Sequence, residues 1–132
     1  MKKIEHIGIA VKKLSVSIPL FEGILNTPCY KTEAVESEQV NTAFFQTGDS
    51  KIELVEAYAP GSVINKFIEK KGEGMHHIAF EVEDIEAEII RLKKEGFTFI
   101  NDVPKKGADD KMVCFLHPKE TNGVLIELVM SI

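Results

Sequence analysis

The 132-residue sequence has no apolar run long enough to span a bilayer. Its first residues, Met1-Lys2-Lys3-Ile4-Glu5-His6, enter a strand-like pattern at once, so no secretory leader is expected and a cytoplasmic setting is. Cysteine is scarce: Cys29 and Cys114 lie among apolar neighbours without metal-type spacing, and a reduced pair is expected rather than a disulfide. Positive charge is also in short supply. Sixteen Lys and Arg against twenty-one Asp and Glu give a net charge of -5, which argues against a general nucleic-acid binder but leaves room for an anionic small ligand on a local basic patch. What remains, 44% hydrophobic and 28% charged residues, is the composition of a globular domain with a core of its own.

Hydrophobic periodicity organises the chain. Lys3 to Val11 alternates and reads as a strand. Ser15 is placed to cap a helix running to about Leu25, with Val16, Leu20, Phe21 and Ile24 expected on its buried side and Pro19 near its first turn. Strands follow at Tyr30 to Val35, Val40 to Thr47 and Lys51 to Glu56. A linker with a turn at Pro60-Gly61 and a short helix, Ser62 to about Lys70, leads to Gly74. The order then repeats. A strand covers Met75 to Val82, and Asp84 caps a helix whose Ile85, Ile89 and Leu92 mark one apolar face. Gly96 stops that helix, and strands are expected at Thr98 to Asp102, Met112 to His117 and Val124 to Met130. The fold expected is α+β: two tandem βαβββ modules, about 1–57 and 74–132, joined by a linker at 58–73 within a single domain of residues 1–132.

The repeat extends to chemistry. His6-Ile7-Gly8-Ile9-Ala10-Val11 and His77-Ile78-Ala79-Phe80-Glu81-Val82 share a histidine, the isoleucine after it and a valine five residues on. Each half ends in the same four residues, Ile52-Glu53-Leu54-Val55 and Ile126-Glu127-Leu128-Val129. Neutral imidazole and carboxylate are ligands for divalent Zn, Co, Mn, Ni or Fe, and two of each would balance one such ion. Taken singly, a histidine at a strand start is more often a hydrogen-bonded core residue, and a glutamate between Ile and Leu more often faces solvent. Matched placement of all four points to metal ligation by His6, Glu53, His77 and Glu127. His76, next to His77 on a strand, faces the other way and is read as structural or as a support behind the ligands; His117, before Pro118, is read as structural first and as a substrate contact second.

These segments, with Lys106-Gly107-Ala108, Phe115-Leu116-His117-Pro118-Lys119 and Gly123-Val124-Leu125-Ile126-Glu127-Leu128, resemble the vicinal-oxygen-chelate (glyoxalase/bleomycin resistance) superfamily over nearly the whole chain, and within it the methylmalonyl-CoA epimerases. The resemblance implies a curved mixed sheet around a metal-binding cleft, a divalent ion (Co, Mn, Zn, Ni or Mg) on His6, Glu53, His77 and Glu127, and a homodimer. It implies interconversion of the (R) and (S) forms of an acyl-CoA thioester by removal and return of the α-proton through a metal-stabilised enolate. Glu127 is then the first acid–base candidate and Glu38 the second, because Thr42 stands where the family carries a further glutamate. Lys105, Lys106 and Lys119, with Lys111, are the candidates for contact with the coenzyme A phosphates. The alternatives are a glyoxalase I-type lyase acting on a glutathione hemithioacetal with the same ligand set, and a metal-free small-molecule-binding module of the same fold. Neither nucleic acid nor membrane is expected as a partner.

Overall fold

The computed structural model describes residues 1–101 and 103–132. The fold is α+β, with parallel and antiparallel pairing among eight strands: β1 (Lys3–Ala10), β2 (Lys31–Val35), β3 (Val40–Thr47), β4 (Ser50–Ala57), β5 (Gly74–Glu81), β6 (Lys105–Lys106), β7 (Lys111–Phe115) and β8 (Ile126–Ser131). Three helices interrupt them: α1 (Leu14–Leu25), α2 (Val63–Lys71) and α3 (Ile85–Lys94). No described helix is long and apolar enough to cross a membrane. The chain divides into two compact units, His6–His76 and Met1–Glu5 with His77–Ile132, so the first residues of β1 count with the second half of the sequence. The backbone N–H of Lys2 donates to the carbonyl of Glu81, 2.8 Å away, which ties them there.

In the His6–His76 unit the strand order is β2-β3-β4-β1. β1 runs parallel to β4, and β3 is antiparallel to both β2 and β4. Alternation sorts the side chains. Ile9, Ala43, Phe45, Ile52 and Leu54 turn to α1 and pack on Leu14, Ile18, Phe21 and Leu25. Ala10, Val40, Val55, Val35 and Ala57 turn the other way and are covered by Ile64, Phe67 and Ile68 of α2. Ser62 caps α2 through its Oγ, which accepts from the N–H of Ile64 at 3.2 Å.

α1 departs from the sequence expectation. Val16, Leu20 and Ile24 are exposed, at 65%, 56% and 65%, and only Phe21 of the expected set packs inward. The helix starts two residues early, at Leu14, with Lys13 rather than Ser15 as its N-cap and no side-chain cap. That start brings Leu14, Ile18, Phe21 and Leu25 onto one stripe, and this stripe outcompetes the second one because it carries the only aromatic ring of the helix. Pro19 falls inside the helix, on its exposed side.

In the other unit the order is β5-β8-β7-β6, with β5 parallel to β8 and the rest antiparallel. Val82, Ile85, Ile89, Leu92, Cys114, Leu116 and Leu128 form its core beneath α3, as the spacing of the apolar residues anticipates. Asp84 caps α3, accepting from the N–H of Ala87 at 3.1 Å. Gly96 follows the helix at φ 99°, a left-handed conformation that glycine adopts without a Cβ clash. The strand expected at Thr98 to Asp102 shrinks to one bridge, Phe99 opposite Leu116; Asp102 itself lies outside the described residues. The ladder contact passes instead to Lys105 and Lys106, outside every expected strand but forming β6 against Val113 and Met112. Thr98 is held from the side: its N–H and its hydroxyl both donate to Oε1 of Glu120, at 2.8 and 2.6 Å. These bonds, the hydroxyl one foremost, hold the Glu120 carboxyl below its usual range.

Candidate functional site

His6 and Glu53 meet because of the β1–β4 register. Gly8 pairs with Glu53, two residues beyond the histidine, and parallel pairing puts His6 and Glu53 on one face. Nε2 of His6 lies 3.4 Å from Oε1 of Glu53. The other unit repeats this. Ala79 pairs with Glu127, again two residues beyond the histidine, and Nε2 of His77 lies 3.2 Å from Oε1 of Glu127. Each glutamate also has a phenylalanine directly across the antiparallel ladder, Phe44 for Glu53 and Phe115 for Glu127. The Phe115 ring stands edge-on to His77 with centroids 6.1 Å apart. Two phenylalanines in matching positions were not singled out from the sequence. The signal was available in the register, since each sits one hairpin before its glutamate.

All four side chains are buried, each glutamate at 6% and each histidine at 7% exposure. The glutamate between Ile and Leu is therefore not on the solvent side of its strand. Burying a carboxylate is expensive unless a positive charge or several donors compensate it, and a neutral imidazole supplies no charge. Oε1 of Glu127 makes no hydrogen bond despite its 3.2 Å approach to Nε2, so proximity there is not donation. Within each unit the pair presents an imidazole nitrogen and a carboxylate oxygen side by side. This is the chemistry a divalent cation requires.

The remaining candidates have separate places. His76 is half-buried and its ring stands edge-on to Phe67 of α2 at 4.9 Å, a packing role. His117 opens the 3-10 turn Pro118–Glu120, its Nδ1 accepting from the N–H of Lys119 at 3.3 Å. Lys119 is in that turn, Lys106 pairs with Asp110 at 3.4 Å on the surface, and Lys111 donates to Oγ of Ser131 at 2.9 Å. Lys105 faces the same side as Val113, the residue opposite it on β7. Glu38 closes the 3-10 turn Glu36–Glu38 between β2 and β3. Thr42 is almost fully buried on β3, and its hydroxyl donates to the carbonyl of Glu33 at 3.0 Å.

Residues 5–115 match the family described as glyoxalase/bleomycin resistance protein/dioxygenase superfamily. The chain belongs to that superfamily. A Cereibacter sphaeroides ethylmalonyl-CoA/methylmalonyl-CoA epimerase is 38% identical over 128 residues, covering 96% of each chain. An uncharacterised Bacillus subtilis protein, YqjC, is 40% identical over 97% of this chain and 91% of its own. A solved structure of a Streptomyces coelicolor methylmalonyl-CoA epimerase variant with 2-nitronate-propionyl-CoA superposes at a TM-score of 0.93, with 34% identity over 99% of this chain and 95% of the other. The superfamily fold expected from the repeated histidine and glutamate strands is the fold these comparisons return.

Proposed function

We propose that this protein is an epimerase of 2-carboxyacyl-CoA thioesters, with methylmalonyl-CoA as substrate. The observation that carries the reading is the duplicated pair: two buried His–Glu pairs in identical strand register, on a chain 38% identical to an ethylmalonyl-CoA/methylmalonyl-CoA epimerase along its length. The reading assigns His6, Glu53, His77 and Glu127 as the ligands of a divalent ion, two neutral imidazoles and two carboxylates whose chemistry suits one. Held by these residues, such an ion would supply Lewis acidity to the reaction.

The protein's own groups do the rest. Inverting the carbon between a thioester and a carboxylate takes removal of its proton and return of a proton to the opposite side. Glu127 is assigned one of these transfers, and a second carboxylate, for which Glu38 is the sequence candidate, the other. The short strand β6 and the Pro118–Glu120 turn offer Lys105, Lys106 and Lys119 to the coenzyme A phosphates. The protein is proposed to work in the cytoplasm as a homodimer.

Glu127→Gln tests the assignment. The variant is expected to lose metal affinity in a binding titration and to lose about 100-fold or more in epimerisation rate. A metal-replete, fully active Glu127→Gln enzyme contradicts it.

A further inference from the structure

We propose that the second acid–base group is Glu33, on β2. The inference rests on the epimerase reading above and assigns the group that reading leaves open. Inversion at carbon needs a proton donor and a proton acceptor on opposite sides of the centre, so one carboxylate does not suffice. In the His6–His76 unit the group has to lie on the sheet face that carries His6 and Glu53.

Strand register identifies everything on that face. From β1 come His6, Gly8 and Ala10; from β4, Lys51, Glu53, Val55 and Ala57. β3 adds Val40, Thr42, Phe44 and Gln46, and β2 adds Lys31, Glu33 and Val35. Glu33 is the one carboxylate on this face of the four strands besides Glu53. α2 covers Ala10, Val35, Val40 and Val55 of this face, and Glu33 lies in the row of Thr42, Val55 and Ala10, next to the row of Phe44, Glu53 and Gly8.

Local details hold Glu33 at the border. It is half-buried while its neighbours Thr32 and Ala34 on β2 are exposed. It is the cross-strand partner of Thr42, whose hydroxyl donates to the Glu33 carbonyl and pins the strand at that residue. A threonine hydroxyl neither takes nor gives a proton readily near neutral pH, whereas a carboxylate one strand away does. Nζ of Lys31 lies 3.3 Å from Oε1 of Glu33 and steadies the carboxylate on the same face. Glu38, in contrast, sits in the 3-10 turn beyond the end of the ladder, where no register directs its side chain to this face. β3 separates β2 from β4, so Glu33 reaches a substrate lying along the face rather than the metal ligands themselves.

The step balances. One carboxylate takes the α-proton, leaving the C–H electron pair in the enolate of the thioester. The other, as a carboxylic acid, gives its proton to the opposite side of the carbon. The two groups exchange protonation states, and exchange with solvent or the reverse turnover resets them.

The test is Glu33→Gln with metal-replete protein in heavy water. α-Deuteration is followed from each epimer separately, together with epimer interconversion and metal content. The expected variant keeps its metal, interconverts epimers about 100-fold or more slowly, and still exchanges the α-proton of one epimer but not of the other. Glu33→Asp is expected to recover part of the interconversion. An active parent whose Glu33→Gln variant interconverts epimers within threefold of it overturns the assignment, as does one-sided exchange in Glu38→Gln instead. A metal-replete parent that neither exchanges nor interconverts overturns the epimerase reading itself and Glu33 with it.

Discussion

Cys114 sits on β7 with its side chain in the core beneath α3, across the ladder from Leu128. Burial, and after it the nearby Glu127 carboxylate, pushes its thiol from 9.0 up to about 12. In the unfolded chain the thiol gives up its proton near the lower value, whereas the folded chain keeps it. Between about pH 9 and pH 12 the unfolded state therefore binds fewer protons, and stability falls as pH rises. The contribution is fully present below pH 9 and declines by at most about 1.4 kcal/mol per pH unit above it. Urea unfolding at a series of pH values from 8 to 10.5 is expected to show a steeper alkaline decline for the parent than for Cys114→Ala. Parallel declines contradict this account of the thiol. The raised value also keeps Cys114 protonated and unreactive at neutral pH, in keeping with the reduced cysteine expected from its apolar setting.

The elements differ in how far their sequence determines them. α3 was legible because Asp84, a single apolar stripe of Ile85, Ile89 and Leu92, and Gly96 all give the same boundaries and the same buried face. α1 was not, because it has two apolar stripes and one charged residue, Glu22, so periodicity alone does not choose a face. The core chose Leu14, Ile18, Phe21 and Leu25. Leu14→Ala is accordingly expected to cost about 2–4 kcal/mol in denaturant unfolding and Leu20→Ala less than about 1 kcal/mol. Equal losses would mean that the stripe carrying Leu20 is the packed one. β6 was missed for another reason. Two lysines between Pro104 and Gly107 have no strand pattern of their own, and only pairing with Met112 and Val113 makes them a strand. That pairing fixes Lys105 and Lys106 on a sheet edge, suited to a phosphate-bearing ligand. Lys105→Ala and Lys106→Ala are expected to raise KM for the acyl-CoA several-fold with kcat little changed. A fall in kcat at constant KM would remove the lysines from substrate binding.

For the molecule as a whole, duplication was the readable feature. The two His-to-Glu repeats in sequence become two parallel strand pairs with the same two-residue offset, and the donor atoms within each pair lie 3.4 and 3.2 Å apart. Composition had no part in that result; the repeat of specific residue types at matched spacing did. The second acid–base group was not legible, because Glu33 looks like any exposed residue of a short strand until register places it beside Thr42 on the face of His6 and Glu53. The central claim is that this duplicated set exchanges the α-proton of a 2-carboxyacyl thioester, and it is tested by incubating the metal-reconstituted protein with one epimer of methylmalonyl-CoA in heavy water against a metal-stripped control. The account predicts rapid α-deuteration with appearance of the other epimer in the reconstituted sample alone; no deuteration of either epimer in the metal-replete protein would contradict it.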